Sequence, residues 1–468
     1  MALEFHNSLT RRQELFEPIQ AGSVGLYTCG PTVYNVAHIG NFRAYIFEDL
    51  LKRTLLFCGY RVRHVMNLTD VDDKTIRDAR AAGVGLAPFT QRFKDAFFAD
   101  SRRLRLAPAD VYPAATEHIP EMIRLIQTLL DKGFAYRADD QSVYFSIARW
   151  PTYGQLVHID PEQMRAGSRV SHDEYAKESV ADFALWKAWT EADGEVGWDS
   201  PWGKGRPGWH IECSAMSSRY LGPHFDIHCG GIDNLFPHHE DEIAQSEAAN
   251  GCRFVNVWLH CAHLVVDGKK MSKSLGNFHT LGDVLARGYS GREVRYVLLA
   301  THYRQALDFS FRGCDDARAA LQRLDAFRAR LAEAERLPGK GSGAAGAATT
   351  KALAVFRAAL ENDLNISAAL AALFDLVREI NRLLDGGDVP GAAATAVLEA
   401  LRSMDAVLAI LSPDDAEAVP ERILALAAER QAARRAKDFP LADRLRDQLA
   451  AAGWVIEDTP KGPRARRG

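Results

Sequence analysis

The stretch from Gly25 to Asn41 constrains the fold of this chain more than any other. Val24 to Cys29 reads as a short buried strand, and Gly30-Pro31 breaks it. From about Val36 an apolar pattern of helical period runs on through Ala44, Ile46, Phe47, Leu50, Leu51 and Leu55. A strand, a tight turn and a helix make the first unit of a doubly wound α/β sheet. Ligands of such sheets sit beyond the strand's carboxyl end, against the helix's N-terminal N–H groups. Cys29 and His38 fall there. Singly, a strand-end cysteine is an ordinary small buried hydrophobe and a histidine at a helix start an ordinary cap. With Gly40 and Asn41, however, His38 offers a ring N–H, a glycine that lets a ligand approach the backbone, and a second side-chain donor within one turn. That arrangement suits a bound phosphate.

With 468 residues, 47% of them hydrophobic, the chain can bury large cores, and the length points to about three domains. No apolar run approaches the ~20 residues that cross a bilayer. Met1 to Arg12 lacks the basic-then-apolar pattern of a signal peptide. A cytoplasmic protein without membrane contact is expected. The seven cysteines, Cys29, Cys58, Cys213, Cys229, Cys252, Cys261 and Cys314, are odd in number and scattered, so disulfides are not expected and metal binding stays open. The net charge of −4 excludes a globally basic nucleic-acid binder. A local patch exists: Glu421 to Gly468 carries 11 Lys/Arg against 7 Asp/Glu, a balance of +4. On composition alone it is either a solvated tail or a surface for a polyanion.

Arg61 to Leu68 reads as a second strand. It ends in Thr69 and the carboxylates Asp70, Asp72 and Asp73, which either hold a cation or cap a helix beginning near Lys74. Helical patterns follow over Phe89–Leu104 and His118–Lys132. Phe134 to Lys204 then turns to short strands (Ser142–Ile147, Phe183–Trp189) and loops, an insertion packed over the first unit. Tryptophans 186, 189, 198 and 202 are expected in its core. Trp209 stands apart because the chain returns there to the sheet. Between Trp209 and Glu242 lie Cys213, His224, Asp226, His228, Cys229, Asp233, His238, His239, Glu240, Asp241 and Glu242, a density that packing does not explain. Pro237 suits the first turn of a helix through Ile243 and Ala244. On it His238 and Glu242 would point together, and His239 and Glu240 elsewhere. Cys213 completes a sulfur, nitrogen and oxygen set of zinc type; His228 with Cys229 is a competing choice, and a charged helix N-terminus a third reading. After a strand over Trp258–Val266, the turn Asp267 to Asn277 places Lys270 and Lys273 three apart, with Ser272 and Ser274 between and beside them. One turn can aim both ammonium groups at a polyanion.

His38-Ile-Gly-Asn41 and Lys270-Met-Ser-Lys-Ser274, in that order, resemble the paired signatures of class I aminoacyl-tRNA synthetases. Tyr27-Thr-Cys-Gly-Pro-Thr-Val-Tyr34, Asn67-Leu-Thr-Asp-Val-Asp-Asp-Lys74, Pro207-Gly-Trp-His-Ile-Glu-Cys-Ser-Ala-Met216, Phe236-Pro-His-His-Glu240 and Thr301-His-Tyr-Arg304 narrow the resemblance to the cysteinyl-tRNA synthetases, over essentially the whole chain. The resemblance implies zinc held by Cys29, Cys213, His238 and Glu242, ATP phosphates bound by His38, Gly40, Asn41, Lys270 and Lys273, and a pocket lined by Thr69, Trp209 and His228 with Asp233 receiving the substrate ammonium. It implies Mg-ATP, L-cysteine and tRNA(Cys) as substrates, and a monomer. Zinc would distinguish cysteine from serine, a pair that shape separates poorly. Two positions depart from the family: Asn41 replaces a usual histidine, and Cys229 stands where a glycine is expected, close to the metal.

The expected architecture is thus α/β, a Rossmann-like catalytic domain over 1–310 with an insertion over about 112–205 and a lysine loop over 266–278. A helical bundle over 311–414 and a small anticodon-binding module over 415–468 would follow. Leu337 to Thr350 reads as a flexible linker, and Lys351–Leu384 and Ala392–Leu411 as bundle helices. Two rival functions share parts of this pattern. A cysteine ligase acting on a small-molecule amine would share the site but lack the C-terminal module. A zinc-stabilised RNA-binding protein would need neither His38 nor the lysine loop.

Overall fold

The computed structural model describes residues 3–158, 182–272, 276–339, 343–411, 421–436, 438–452, 454–459 and 462–467. The chain forms two compact units, Met1–Ala409 and Ile410–Gly468. In the larger unit four parallel strands make the central sheet, in the order Val255–Cys261, Phe225–Gly231, Ser23–Thr28, Arg61–Met66. Strand order reverses between the two middle strands, the point at which open α/β sheets leave a crevice. Tyr27 aligns with His228 and Thr28 with Cys229, so the first strand delivers Cys29 beside the polar cluster.

The helix after the first strand runs Ile39–Phe57, starting later than its apolar period suggests, because His38 caps it. The second strand stops at Met66, and Asp72 caps the helix Asp73–Ala81 by accepting from the Lys74 N–H at 2.8 Å. The carboxylates that follow that strand are thus accounted for without a cation: Asp70 pairs with Lys94 at 2.7 Å, and Asp73 pairs with Lys187 and Arg206. Helices Leu86–Arg103 and Ile119–Asp131 follow. The insertion is an antiparallel sheet of Ala135–Arg137, Val143–Phe145, Phe183–Ala188 and Gly205–Pro207. Trp186 and Trp202 lie in its core, whereas Trp189 stays exposed; residues 159–181 of the expected insertion lie outside the described residues.

Three expectations are corrected. The expected strand Trp258–Val266 is two strands, Val255–Cys261 and Leu264–Val266, the latter joining Leu307–Phe309 and Lys269–Lys270 in a second sheet. The expected linker is partly helical: a helix covers Gly343–Glu361, as its alanines favour, with Ala345 and Thr349 buried. The bundle helix expected from Lys351 to Leu384 breaks at Asp363 and Leu364, both at positive φ (52° and 55°), and resumes as Ile366–Asp385 capped by Asn365. The break places the Asp363 carboxylate where it accepts from Tyr303 Oη at 2.6 Å, Arg304 Nε at 2.7 Å and the His6 N–H at 2.9 Å. Helices Phe311–Ala334 and Ala392–Leu408 complete the bundle. The smaller unit contains helices Glu421–Arg435 and Phe439–Ala451 and a hairpin of Trp454–Thr459 with Gly462–Arg467, cored by Ile423, Leu426, Leu449 and Ile456. Among the described residues no helix is long and apolar enough to cross a membrane.

Candidate functional site

Two ligand sets meet where the two middle strands end. The ligand atoms of Cys29, Cys213, His238 and Glu242 all lie within 4.8 Å of one another, and those of Cys29, His228, His239 and Glu242 do so too. All six residues are buried. Cys29 follows the first strand, Cys213 sits on the helix Trp209–Leu221, and His228 is on the strand Phe225–Gly231. His238 and Glu242 do point together, with Nε2 3.2 Å from Oε1. The expected regular helix through Pro237 is instead an irregular turn, Leu235–His239, with Phe236 extended, and the helix proper runs Glu240–Asn250. His239 points inward as well, against expectation, because it has helical backbone geometry and stands three residues before Glu242, on the same helical face: its Nε2 lies 3.2 Å from Cys29 Sγ. Glu240 points away and accepts from the N–H groups of Gly154, Leu156 and Val157. Cys229 is not in either set. Alternation along the strand puts its thiol on the face opposite His228, away from the ligand cluster; its neighbours are Glu48 and Cys261.

The electrostatics of this cluster fit a cation. The Cys213 side chain, then burial, push the Cys29 thiol well above its ordinary range. At Cys213 the hydrogen bond with Cys29 favours the thiolate, but burial and the Glu242 charge outweigh it and the net shift is upward. Burial raises the Glu242 carboxyl to about 8 and holds His238 and His228 neutral down to about 3. Glu242 Oε1 is fully buried and makes no well-aligned hydrogen bond, although His238 Nε2 lies nearby. Two thiols, an imidazole and a carboxyl that cannot ionise comfortably on their own are a donor set that a divalent cation would ionise and compensate.

The phosphate-side residues are organised around a capping box. Asn41 N–H donates to His38 Nδ1 at 3.1 Å, and His38 N–H donates to Asn41 Oδ1 at 3.1 Å. Burial lowers the His38 pKa while Asp233 opposes the shift, so near neutrality the ring is uncharged. Since Nδ1 accepts, the ring's own proton is on Nε2. The N–H groups of Ile39 and Asn41 are already bonded, to His279 O and to His38, so the expected role of helix N–H groups passes largely to side chains. Gly40 allows close packing of the turn: a Cβ there would meet His38 Nδ1 at 2.9 Å and Met271 Cε at 3.0 Å. Phe278 packs edge-on against His38 at 5.2 Å, and Thr280 bridges to it. Both flanks of the lysine loop therefore reach the His38 turn. Lys270 is placed by its backbone, in the strand Lys269–Lys270, and Lys273 and Ser274 lie outside the described residues.

Trp209 is 40% exposed and stacks on His238 with centroids 4.2 Å apart. Thr69 is buried and its hydroxyl accepts from Asn67 Nδ2 at 3.1 Å. His228 stacks on Trp258 at 4.7 Å, with Nε2 3.0 Å from Glu242 Oε2. Asp233 lies in the short turn Ile232–Asn234. The structure thus gathers Cys29, Cys213, Trp209, His228, His238 and Glu242 at one place, with His38 and Asp233 electrostatically coupled beside one another. Sequence reasoning missed His239, and it gave no role to His210 and His260, which lie against His238 and His239 at 2.8 Å each. His210 had a signal, since it stands between Trp209 and Cys213; His260 had none.

A reversed parallel sheet with His38 at its first helix, and Met271, Phe278 and Thr280 of the lysine loop's flanks against that turn, fits a class I tRNA synthetase. The family described as tRNA synthetases class I (C) catalytic domain matches residues 15–319, the DALR domain residues 355–412 and the cysteinyl-tRNA ligase anticodon binding domain residues 416–466. The cysteine–tRNA ligase of Protochlamydia amoebophila is 51% identical over 469 residues, covering 99% of this chain and 98% of that protein. The enzyme of the same name from Chlamydia muridarum is 51% identical over 476 residues, covering all of both. The chain belongs to the cysteine–tRNA ligase family. Among solved structures, Mycobacterium tuberculosis methionyl-tRNA synthetase in complex with methionyl-adenylate superimposes with a TM-score of 0.61 at 17% identity, covering 83% of this chain and 90% of that one. That likeness is one of fold.

Proposed function

We propose that this protein activates L-cysteine with Mg-ATP to cysteinyl-adenylate and transfers the cysteinyl group to the 3′-terminal adenosine of tRNA(Cys), selecting its amino acid through a zinc ion held by Cys29, Cys213, His238 and Glu242. The observation that carries this reading is the buried cluster of two sulfurs, a nitrogen and an oxygen at the sheet's switch point, beside the His38 turn. The set with two sulfurs is favoured over the one with His228 and His239 because zinc in a thiol-reading role gains from soft ligands, and because His228 is then left to line the pocket. Zinc bound there would coordinate the substrate thiolate far better than the neutral hydroxyl of serine.

The remaining work belongs to the chain's own groups. Trp209, stacked on His238 and partly exposed, walls the pocket, Thr69 lines it, and Asp233 receives the substrate ammonium. The carboxylate of cysteine attacks the α-phosphate and pyrophosphate leaves, with no covalent intermediate on the enzyme, so positioning and charge stabilisation do the catalysis. His38 donates from Nε2 to a phosphate oxygen, its orientation fixed by the capping box. Asn41, whose carbonyl is engaged by His38 N–H, keeps its amide nitrogen as a donor and brings no titratable group. Lys270 and Lys273 close on the phosphates from the loop. A monomeric enzyme is part of this reading. Residues 1–310 carry activation, 311–414 form the bundle, and 415–468 meet the anticodon, where the local charge of +4 faces a polyanion.

The test offers labelled cysteine, ATP and either tRNA(Cys) or a mixture of small-molecule amines to the full chain. Ester formation on the tRNA alone is the expected result, and amide formation on an amine without tRNA charging would replace the reading with the small-molecule ligase.

A further inference from the structure

We propose that the helical bundle sets the geometry of the phosphate site: Asp363, at the break in the bundle helix, fixes the segment Thr301–Arg304, and that segment holds in register the two elements that meet ATP. The proposal rests on the function proposed above and assigns positioning residues, Asp363, Tyr303 and Arg43, to its activation step. The first of the two elements is the helix Ile39–Phe57, which His38 caps. Arg43, on that helix, is 2% exposed. Its guanidinium donates to Leu298 O at 2.6 Å, Thr301 O at 3.0 Å and His302 O at 2.9 Å. The helix Gly291–Ala300 ends there, so carbonyls that a helix C-terminus leaves unpaired are taken up by the helix of the phosphate site. One turn further along, Phe47 stacks on Tyr303 with centroids 4.5 Å apart.

The second element is the lysine loop. Ala262 N–H donates to Tyr303 O at 2.8 Å, and Leu307 N–H donates to His263 O at 3.1 Å. The strand Leu264–Val266 starts from that anchor, pairs with Leu307–Phe309 and pairs again with Lys269–Lys270 at the entrance to the loop. Both elements therefore share one support, and the support is itself held from the bundle. Asp363 is buried. Its Oδ1 accepts from Tyr303 Oη at 2.6 Å and the His6 N–H at 2.9 Å, its Oδ2 from Arg304 Nε at 2.7 Å, and its carbonyl from His302 Nε2 at 2.9 Å. Ser367 Oγ, on the next bundle helix, adds a bond to Ala300 O at 3.3 Å. A buried carboxylate is costly unless its acceptors are paired, and its best-attested use is to fix the register of elements. The register fixed here is the placement of the His38 turn relative to the lysine loop. Where catalysis is positioning, an error of about 1 Å costs about 100-fold.

The test is ATP–pyrophosphate exchange by the full chain, with ATP and cysteine varied in turn, for the parent, Asp363→Asn, Tyr303→Phe and Leu376→Ala. Leu376 is buried in the bundle helix Ile366–Asp385, so its truncation loosens the bundle without removing any of these hydrogen bonds. Asp363→Asn is expected to raise KM for ATP and lower kcat, by about 10- to 100-fold in kcat/KM for ATP, while KM for cysteine and the bound zinc stay at the parent's values. Tyr303→Phe keeps the ring on Phe47 and removes one bond, so a smaller rise in KM for ATP is expected. A folded Asp363→Asn with the parent's ATP kinetics overturns the inference, as does a loss that Leu376→Ala reproduces. Should Asp363→Asn not fold, Tyr303→Phe decides, and an unchanged KM for ATP there overturns it. A parent without cysteine-dependent exchange overturns the proposed function itself, and this inference with it.

Discussion

At the scale of single residues, alternation along a strand separates partners that look equivalent in the sequence. His228 and Cys229 are neighbours, yet one ring enters the ligand cluster and the other side chain joins Glu48 and Cys261 in the core behind it. A similar division governs pH behaviour. His64 is buried on the strand Arg61–Met66, with Nε2 3.0 Å from Thr28 Oγ1, and burial lowers its pKa to about 3. In the unfolded chain it titrates near 6.5, so between those values the unfolded state binds more protons and stability rises with pH. The contribution is fully present above about 6.5 and is lost as pH falls below it, by about 2 kcal/mol at pH 5. His64→Gln should flatten that part of the slope in urea midpoints taken at pH 5 and pH 7; an unchanged slope would show that His64 is not buried neutral. Cys213, His238 and Glu242 were legible at this scale as part of an unusually dense polar cluster, and Cys29 joined them through the family resemblance; the structure brings the four ligand atoms together. His239 was passed over, although it stands three residues before Glu242 and so shares its helical face; only the four-residue spacing of His238 was weighed.

At the scale of elements, strands and helices with clear periodicity were readable and their ends and breaks were not. The break at Asp363 shows why: it is set by Tyr303, Arg304 and His6, partners distant in sequence that no local pattern announces. The junction between helices shows the same long-range control. Arg295, fully buried on the helix Gly291–Ala300, donates to Asp49 Oδ2 at 2.5 Å, Leu408 O at 2.7 Å and Leu104 O at 3.0 Å. Burial lowers its pKa while Asp49 opposes the shift. One side chain thereby ties the helix Ile39–Phe57 to the end of the bundle helix Ala392–Leu408. Arg295→Met should cost roughly 3–5 kcal/mol, because Asp49 is left buried without this partner. Chemical denaturation checks the figure, and a loss under about 1 kcal/mol would mean that Arg53, which also pairs with Asp49 at 2.8 Å, suffices to compensate it.

At the scale of the whole molecule, the chain's division into Met1–Ala409 and Ile410–Gly468 separates the adenylation site from the basic C-terminal stretch. The zinc-type cluster and the His38 turn lie wholly in the larger unit. A chain ending before residue 410 is therefore expected to keep cysteine-dependent ATP–pyrophosphate exchange while tRNA charging weakens and loses part of its salt dependence. Undiminished charging by the shortened chain would remove the anticodon role from the smaller unit. The central claim, that a metal reads the substrate thiol, is tested most directly by ATP–pyrophosphate exchange with cysteine and with serine, side by side, on protein whose zinc has been counted. The account predicts exchange with cysteine alone, and joint loss of zinc and exchange in Cys213→Ser; comparable exchange with serine, or cysteine-dependent exchange that survives complete removal of zinc, would contradict it.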